Sequence, residues 1–182
     1  MKLIKTVMMI VAIVYISGCA SGAKMENMTY QGSPKSYADE LNDSLEVSNV
    51  SGGKKTNPLW ISEISTEAFS SAVKKSLSTQ GLLSEDGRFK LEVEMLRVEQ
   101  PLFGLDLKVT TYVQYTLTDS TNNSIVFDET IVAPHTATFS DSFAAIKRLR
   151  LANEGSGKKN ISEFLDRLAA LDIKANEIAL SE

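Results

Sequence analysis

The sequence predicts an α+β fold, an antiparallel sheet with helices packed on one face, in the order β-α-β-β-β-α. Three patterns carry this expectation. Leu107, Val109, Thr111, Val113, Tyr115 and Leu117 occupy alternate positions, the period-two mark of a half-buried strand. Ile61, Ile64, Ala68, Phe69, Ala72, Val73 and Leu77 recur at helical spacing. A second helical stripe runs through Phe143, Ile146 and Leu149 and continues through Ile161, Phe164, Leu165, Leu168 and Leu171. Striped helices and alternating strands bury their apolar sides against each other, which gives a two-layer sandwich.

The chain opens with Lys2 and Lys5, continues with an apolar run from Val7 to Ile16, and reaches the small residues Ser17 and Gly18 before Cys19. A charged region, an apolar region and a small-residue cleavage site in this order predict a signal peptide over residues 1–18. The run is too short for a membrane span, which needs roughly 20 residues to cross about 30 Å of hydrocarbon. Ile16-Ser17-Gly18-Cys19 resembles the lipobox of bacterial lipoproteins. That resemblance implies cleavage between Gly18 and Cys19 and lipidation of Cys19, with the membrane as a partner through the N-terminal lipid. Ala20 follows, where enteric-type sorting uses Asp as an inner-membrane retention signal, so the resemblance implies an outer-membrane protein on the periplasmic face.

Cys19 is the only cysteine, so the mature domain forms no internal disulfide and depends on its core. Loss of Lys2 and Lys5 from 19 basic residues leaves 17 against 23 acidic, a formal charge of −6. An acidic surface without a basic stripe argues against nucleic acid as a partner, because phosphates demand clustered Lys and Arg. Residues 19–42 are rich in Ser, Gly, Lys and Asn and show no apolar period, so a lipidated N-terminus on a flexible tether is expected there, followed by one α+β domain over residues 43–182.

Within that domain, Leu45 to Val50 reads as a short strand and Ser51-Gly52-Gly53 as a turn. Ser62 is the expected N-cap of the first long helix, and Gly81 the residue that closes it. Phe89, Leu91, Val93 and Met95 form the next strand, whose phase shifts at Met95-Leu96, predicting a bulge. The strand from Leu107 and a strand from Ile125 to Ala133, ending at Pro134, should pair as an antiparallel hairpin around a polar turn. Gly155 and Gly157 interrupt the last helical stripe, where each glycine costs about 1 kcal/mol, so either one helix bends or two helices meet.

Chemistry-bearing motifs are sparse. His135, the only histidine, has no Cys neighbour and no motif spacing, and is expected as a surface or strand-end residue. Ser51 to Thr56 places Gly, Lys and Thr together, but the spacing is wrong for a phosphate loop. Glu92 and Glu94 share a strand face and are expected to be solvated rather than catalytic. Trp60 is expected to pack across the start of a helix. Phe103 and Leu105, in a loop after Pro101, are expected as a partner contact. No catalytic residue, cofactor or metal site is assigned.

Lys159-Asn160-Ile161-Ser162-Glu163-Phe164 in the closing helix, with the order of elements from Leu45 to Leu171, is similar to envelope lipoproteins of the YajG type. The same order resembles, more loosely, the LptE and penicillin-binding-protein-activator groups of auxiliary lipoproteins. These resemblances imply a non-enzymatic accessory or scaffold in envelope assembly or transport, with an envelope protein as partner. A lipid or small-ligand carrier would instead enclose an apolar cavity of several hundred Å³, and an envelope enzyme would show a polar cleft with converging titratable groups.

Overall fold

The structure, a computed structural model, describes residues 20–58 and 61–173; the expected signal peptide, Gly18, Cys19 and Trp60 lie outside the described residues. The described elements are a one-turn helix α1 (Met25–Met28), strand β1 (Leu45–Ser51), helix α2 (Thr66–Thr79), strands β2 (Phe89–Glu99), β3 (Leu107–Asp119) and β4 (Ser124–Ala137), and helix α3 (Ala145–Ala169). The α+β sandwich is as expected. Phe89, Leu91, Val93, Val113, Tyr115 and Leu117 bury one face of the sheet against Phe69, Leu77, Phe164 and Leu168 of the helices. The stack of Tyr115 on Phe164, with ring centroids 4.1 Å apart, lies at the centre of that layer.

The four strands lie in the order β1-β2-β3-β4. The hairpin of β3 and β4 is antiparallel, as is the pairing of β2 with β3. The expectation of a wholly antiparallel sheet is corrected at β1, which pairs parallel to β2. The cause is the connection: α2 carries the chain back across the layer, so β2 re-enters the sheet in the direction of β1. The predicted bulge is present, with a register shift between Met95 and Arg97 that leaves Leu96 half-exposed. β4 continues past Pro134 to Ala137 rather than ending there. It is an edge strand, where the missing proline N–H costs no ladder bond if it points outward.

Helix α2 starts three residues later than expected, because Ser65 rather than Ser62 caps it, accepting the Ala68 N–H at 3.1 Å. Ile64 and Phe69, on either side of that cap, are both in the core, the pair of positions a hydrophobic staple uses. Gly81, with φ of +70°, ends the helix as predicted. Leu82 N–H reaches the Leu77 carbonyl at 3.0 Å and Gly81 N–H the Ser78 carbonyl at 3.2 Å, a Schellman motif.

Helix α3 is continuous through both glycines, which settles the choice between one helix and two. Each glycine admits a close neighbour. A Cβ on Gly157 would stand 2.8 Å from Met28 Sδ, and one on Gly155 would overlap the His135 ring. Phe143, expected in the α3 stripe, lies outside the helix and is exposed.

The segment from Ala20 to Asn42 does not stand free as a tether. Met28 and Leu41 are fully buried, and Ala20 and Ala23 nearly so. Polar contacts complete the attachment: buried Glu154 of α3 accepts the Lys24 N–H at 3.0 Å and the Asn27 side-chain amide at 2.8 Å. Scattered anchors of this kind leave no period in the sequence.

Candidate functional site

Because β1, β2 and β4 all point the same way, one end of the sheet gathers the loop after β1, the β2–β3 loop and the loop from β4 into α3. The β2–β3 loop carries Phe103 and Leu105, the residues expected to make a partner contact. Leu102, Phe103 and Leu105 are 91, 86 and 72% exposed. The structure adds two residues that sequence reasoning assigned otherwise or left unassigned: Phe143 at 82% and Phe139 at 43%, whose rings meet edge to face at 5.0 Å. Phe143 was absorbed into the helical stripe because it falls in phase with Ile146 and Leu149.

A single buried cation holds the two loops together. Arg148, in the first turns of α3, donates to the Gly104 carbonyl at 3.2 Å and to the Ser142 carbonyl at 2.6 Å. The Phe139 N–H donates to Asp106 at 3.0 Å, and Arg148 also faces the Phe139 ring at 5.4 Å. Five exposed apolar side chains therefore sit on two loops that Arg148 and Asp106 tie together. Soluble monomers rarely expose contiguous apolar surface beyond a few hundred Å² without a use for it.

The N-terminal segment arrives at the same end. Ala20 N–H bonds the Pro58 carbonyl at 2.6 Å. The Ser62 hydroxyl donates to the Ser21 carbonyl at 2.8 Å, and Arg150 of α3 hydrogen-bonds the Ser21 hydroxyl. Ser62, the residue expected to cap α2, thus ties the N-terminal segment to the domain. Its own carbonyl accepts from Gln100 at 3.1 Å and from Asn153 at 2.8 Å. Gln100 directly precedes Pro101 and Leu102, so a chain of hydrogen bonds joins the residue two after Cys19 to the base of the apolar loop. Gln100 also donates to Glu63, whose carboxyl burial holds above the usual range, with Lys54 and Gln100 opposing the shift.

A second polar feature lies inside the sandwich. Asn160, fully buried, accepts from the Tyr115 hydroxyl at 2.8 Å and donates to the Ile131 carbonyl at 2.9 Å. One turn earlier, the Ser156 hydroxyl donates to the Ala133 carbonyl at 2.7 Å and accepts the Thr111 N–H at 3.0 Å. These contacts seat α3 over β3 and β4. Burial raises the Tyr115 phenol well above its ordinary pKa, so it remains a donor. Each group has a partner, which makes the cluster a positioning device rather than a reactive one.

Glu92 and Glu94 are exposed on the sheet face away from the helices, as expected. His135 is exposed on β4 and its ring lies against Gly155, beside an open groove of about 590 Å³ that Lys158 and Lys159 also line. Among the described residues, no group of three or more His, Cys, Asp or Glu side chains is placed to hold a metal ion. Among the same residues, no helix is long and apolar enough to cross a membrane.

No family model matches the chain, and no curated protein matches it. Among solved structures, the fold is similar to that of a DUF330 protein from Xanthomonas campestris, with a TM-score of 0.55 and 12% identity over 81% of this chain and 96% of that one. It is also similar to the hypothetical protein CT253 from Chlamydia trachomatis, with a TM-score of 0.52 and 12% identity over 71% of this chain and 96% of that one. At these identities the likeness is one of fold.

Proposed function

We propose that the chain is a lipid-anchored envelope lipoprotein whose domain faces the periplasm and acts as a non-enzymatic accessory to an envelope assembly or transport machine. Cys19 is the lipid acceptor. The observation that carries this reading is the fixed position of Ala20, which is buried and hydrogen-bonded to Pro58, one residue after the lipobox cysteine. A lipid on Cys19 holds the domain close to the bilayer in a set orientation, which suits a component that positions another protein.

The partner surface in this reading is the sheet face that the helices leave uncovered. Tyr112 lies there with Arg97 stacked on its ring at 3.8 Å, and the half-exposed Leu96 and Val132 adjoin it in the ladder. An apolar island among Glu92, Glu94, Gln114 and Asp128 gives a contact both hydrophobic area and polar register.

Replacing Cys19 with Ser tests the anchor. The variant should incorporate no radioactive fatty acid and retain residues 1–18, and the wild type should fractionate with outer-membrane markers. Label retained by the Ser variant would refute the anchor. Wild-type protein found wholly with inner-membrane markers would refute the destination that Ala20 implies.

A further inference from the structure

We infer that the apolar end of the domain, formed by Leu102, Phe103, Leu105, Phe139 and Phe143, inserts into the interfacial layer of the leaflet that carries the Cys19 lipid, giving a second attachment point to the same membrane. The inference rests on the proposed lipidation of Cys19 and adds the surface that meets the bilayer.

Three observations carry it. The first is placement: the loops bearing these side chains and the segment leading from Cys19 leave the domain at one end, linked through Ser21, Ser62 and Gln100. The second is reach. Cys19 is one peptide, about 3.8 Å of chain, from Ala20, and Ala20 is itself buried against the domain. No spacer lies between lipid and fold, so a lipid seated in the leaflet brings this end, and no other, to the headgroups. The third is preorganisation. Arg148 holds the carbonyls of Gly104, Ser142 and Phe143, and Asp106 holds the Phe139 N–H, so the two loops that carry the exposed apolar side chains are tied to each other and to α3.

A bilayer fits these features better than a protein groove. Exposed leucine and phenylalanine side chains at the end of the domain nearest the lipidated residue match the way apolar residues enter the boundary between headgroups and acyl chains. The acyl chains on Cys19 hold the protein stably at the membrane, and apolar contact at this end adds a second attachment point to the same leaflet.

The test uses the full-length chain, processed in cells and purified from membranes, with Phe103→Cys as its one free thiol, since Cys19 is the only native cysteine and its sulfur is consumed by the lipid. Phe103 is exposed, so the substitution leaves the core intact. The thiol is labelled with an environment-sensitive nitrobenzoxadiazole dye, and the protein is placed in vesicles of phosphatidylethanolamine and phosphatidylglycerol. Glu92→Cys, on the uncovered sheet face, is the control. The Phe103 dye should shift its emission to the blue and be quenched by spin labels on the acyl chains, while the Glu92 dye keeps its aqueous spectrum. An aqueous spectrum at Phe103 in vesicles overturns the inference. So does a blue shift that lipid-borne quenchers leave untouched, whether it grows with protein density, marking a second copy, or requires added envelope proteins, marking a protein partner. Mass measurement of the same preparation separates the two levels. If Cys19 carries no lipid, both readings fall; if Cys19 is lipidated and the Phe103 dye stays aqueous, only the insertion falls.

Discussion

Asn160→Ala should be among the most damaging polar substitutions in the domain. The side chain is fully buried, accepts from the Tyr115 hydroxyl and donates to the Ile131 carbonyl. Thr111 Oγ1, its third contact at 3.2 Å, keeps Ser156 as a neighbour at 3.0 Å. Truncation therefore leaves the buried Tyr115 hydroxyl without this acceptor, at about 1–3 kcal/mol, and removes one bond to a buried carbonyl. With the loss of packing beside the Tyr115–Phe164 stack, the expected destabilisation is about 3–5 kcal/mol. Urea unfolding of the protein produced without residues 1–19, followed by tryptophan-independent far-UV dichroism, measures it as a fall in midpoint at constant slope. Tyr115→Phe then provides a cycle: once Asn160 is gone, removing the orphaned hydroxyl should be cheaper than in the wild type by about 1–2 kcal/mol. A loss below about 1 kcal/mol for Asn160→Ala, against the buried-group scale, or equal costs of Tyr115→Phe in both backgrounds, would refute the assignment of this cluster as the link between helix and hairpin.

Asp119 gives a pH signature: hydrogen bonds from Arg88 and Thr121 hold its carboxyl at about 2 against the cost of burial, so its contribution is complete above the ordinary aspartate range and disappears as pH falls through about 2. With screening at the partly exposed Arg88, the contribution is about 1–2 kcal/mol, and Asp119→Asn should flatten the acid limb of a stability profile; an unchanged limb contradicts it. Glu154→Ala removes the acceptor of Lys24 and Asn27, so trypsin should cut after Lys24 several-fold faster while the helical core still melts cooperatively; an unchanged cleavage rate would show that the buried Met28 alone holds the segment. Phe69→Ala should cost about 3–5 kcal/mol, because the ring is fully buried between α2 and the sheet; a melting temperature within a degree or two of wild type would overturn that placement.

Most of the sandwich could be read from periodicity because its strands β2 and β3 are half-buried and carry the alternation openly. The bulge was legible for the same reason: Leu96 breaks parity, and parity is what the core enforces. The direction of β1 was not legible. Its seven residues bury only Leu45 completely, and no residue pattern distinguishes a parallel from an antiparallel edge strand of that length. The attachment of the N-terminal segment was not legible either, because it is held by isolated residues, Met28 and Leu41, and by hydrogen bonds to Glu154, none of which recur at a helical or strand spacing.

At the candidate site, Phe103 and Leu105 were identifiable because Pro101 and Gly104 mark a loop, and apolar residues in a loop have no core to enter. Phe139 and Phe143 were hidden by sequence distance, and Phe143 also by its accidental helical phase. The Asn160 cluster had a signal that reading for apolar stripes passes over. Asn153, Ser156 and Asn160 fall on the inward face of α3 at spacings of three and four, among Ala152, Ile161 and Phe164. Polar residues repeating on a buried helical face require partners in the opposing layer, and here the carbonyls of Ser62, Ala133 and Ile131 supply them.

Intact-mass and N-terminal peptide analysis of the protein extracted from cell membranes bears most directly on the account. A chain beginning at Cys19, with a diacylglyceryl thioether and an acylated amine on that residue, is the expected result. It would place the lipid one residue from the buried Ala20 and bring the apolar loops to the bilayer. A chain that retains Met1, or one that begins beyond Ala20 with no lipid, would contradict the anchor and with it the orientation built on it.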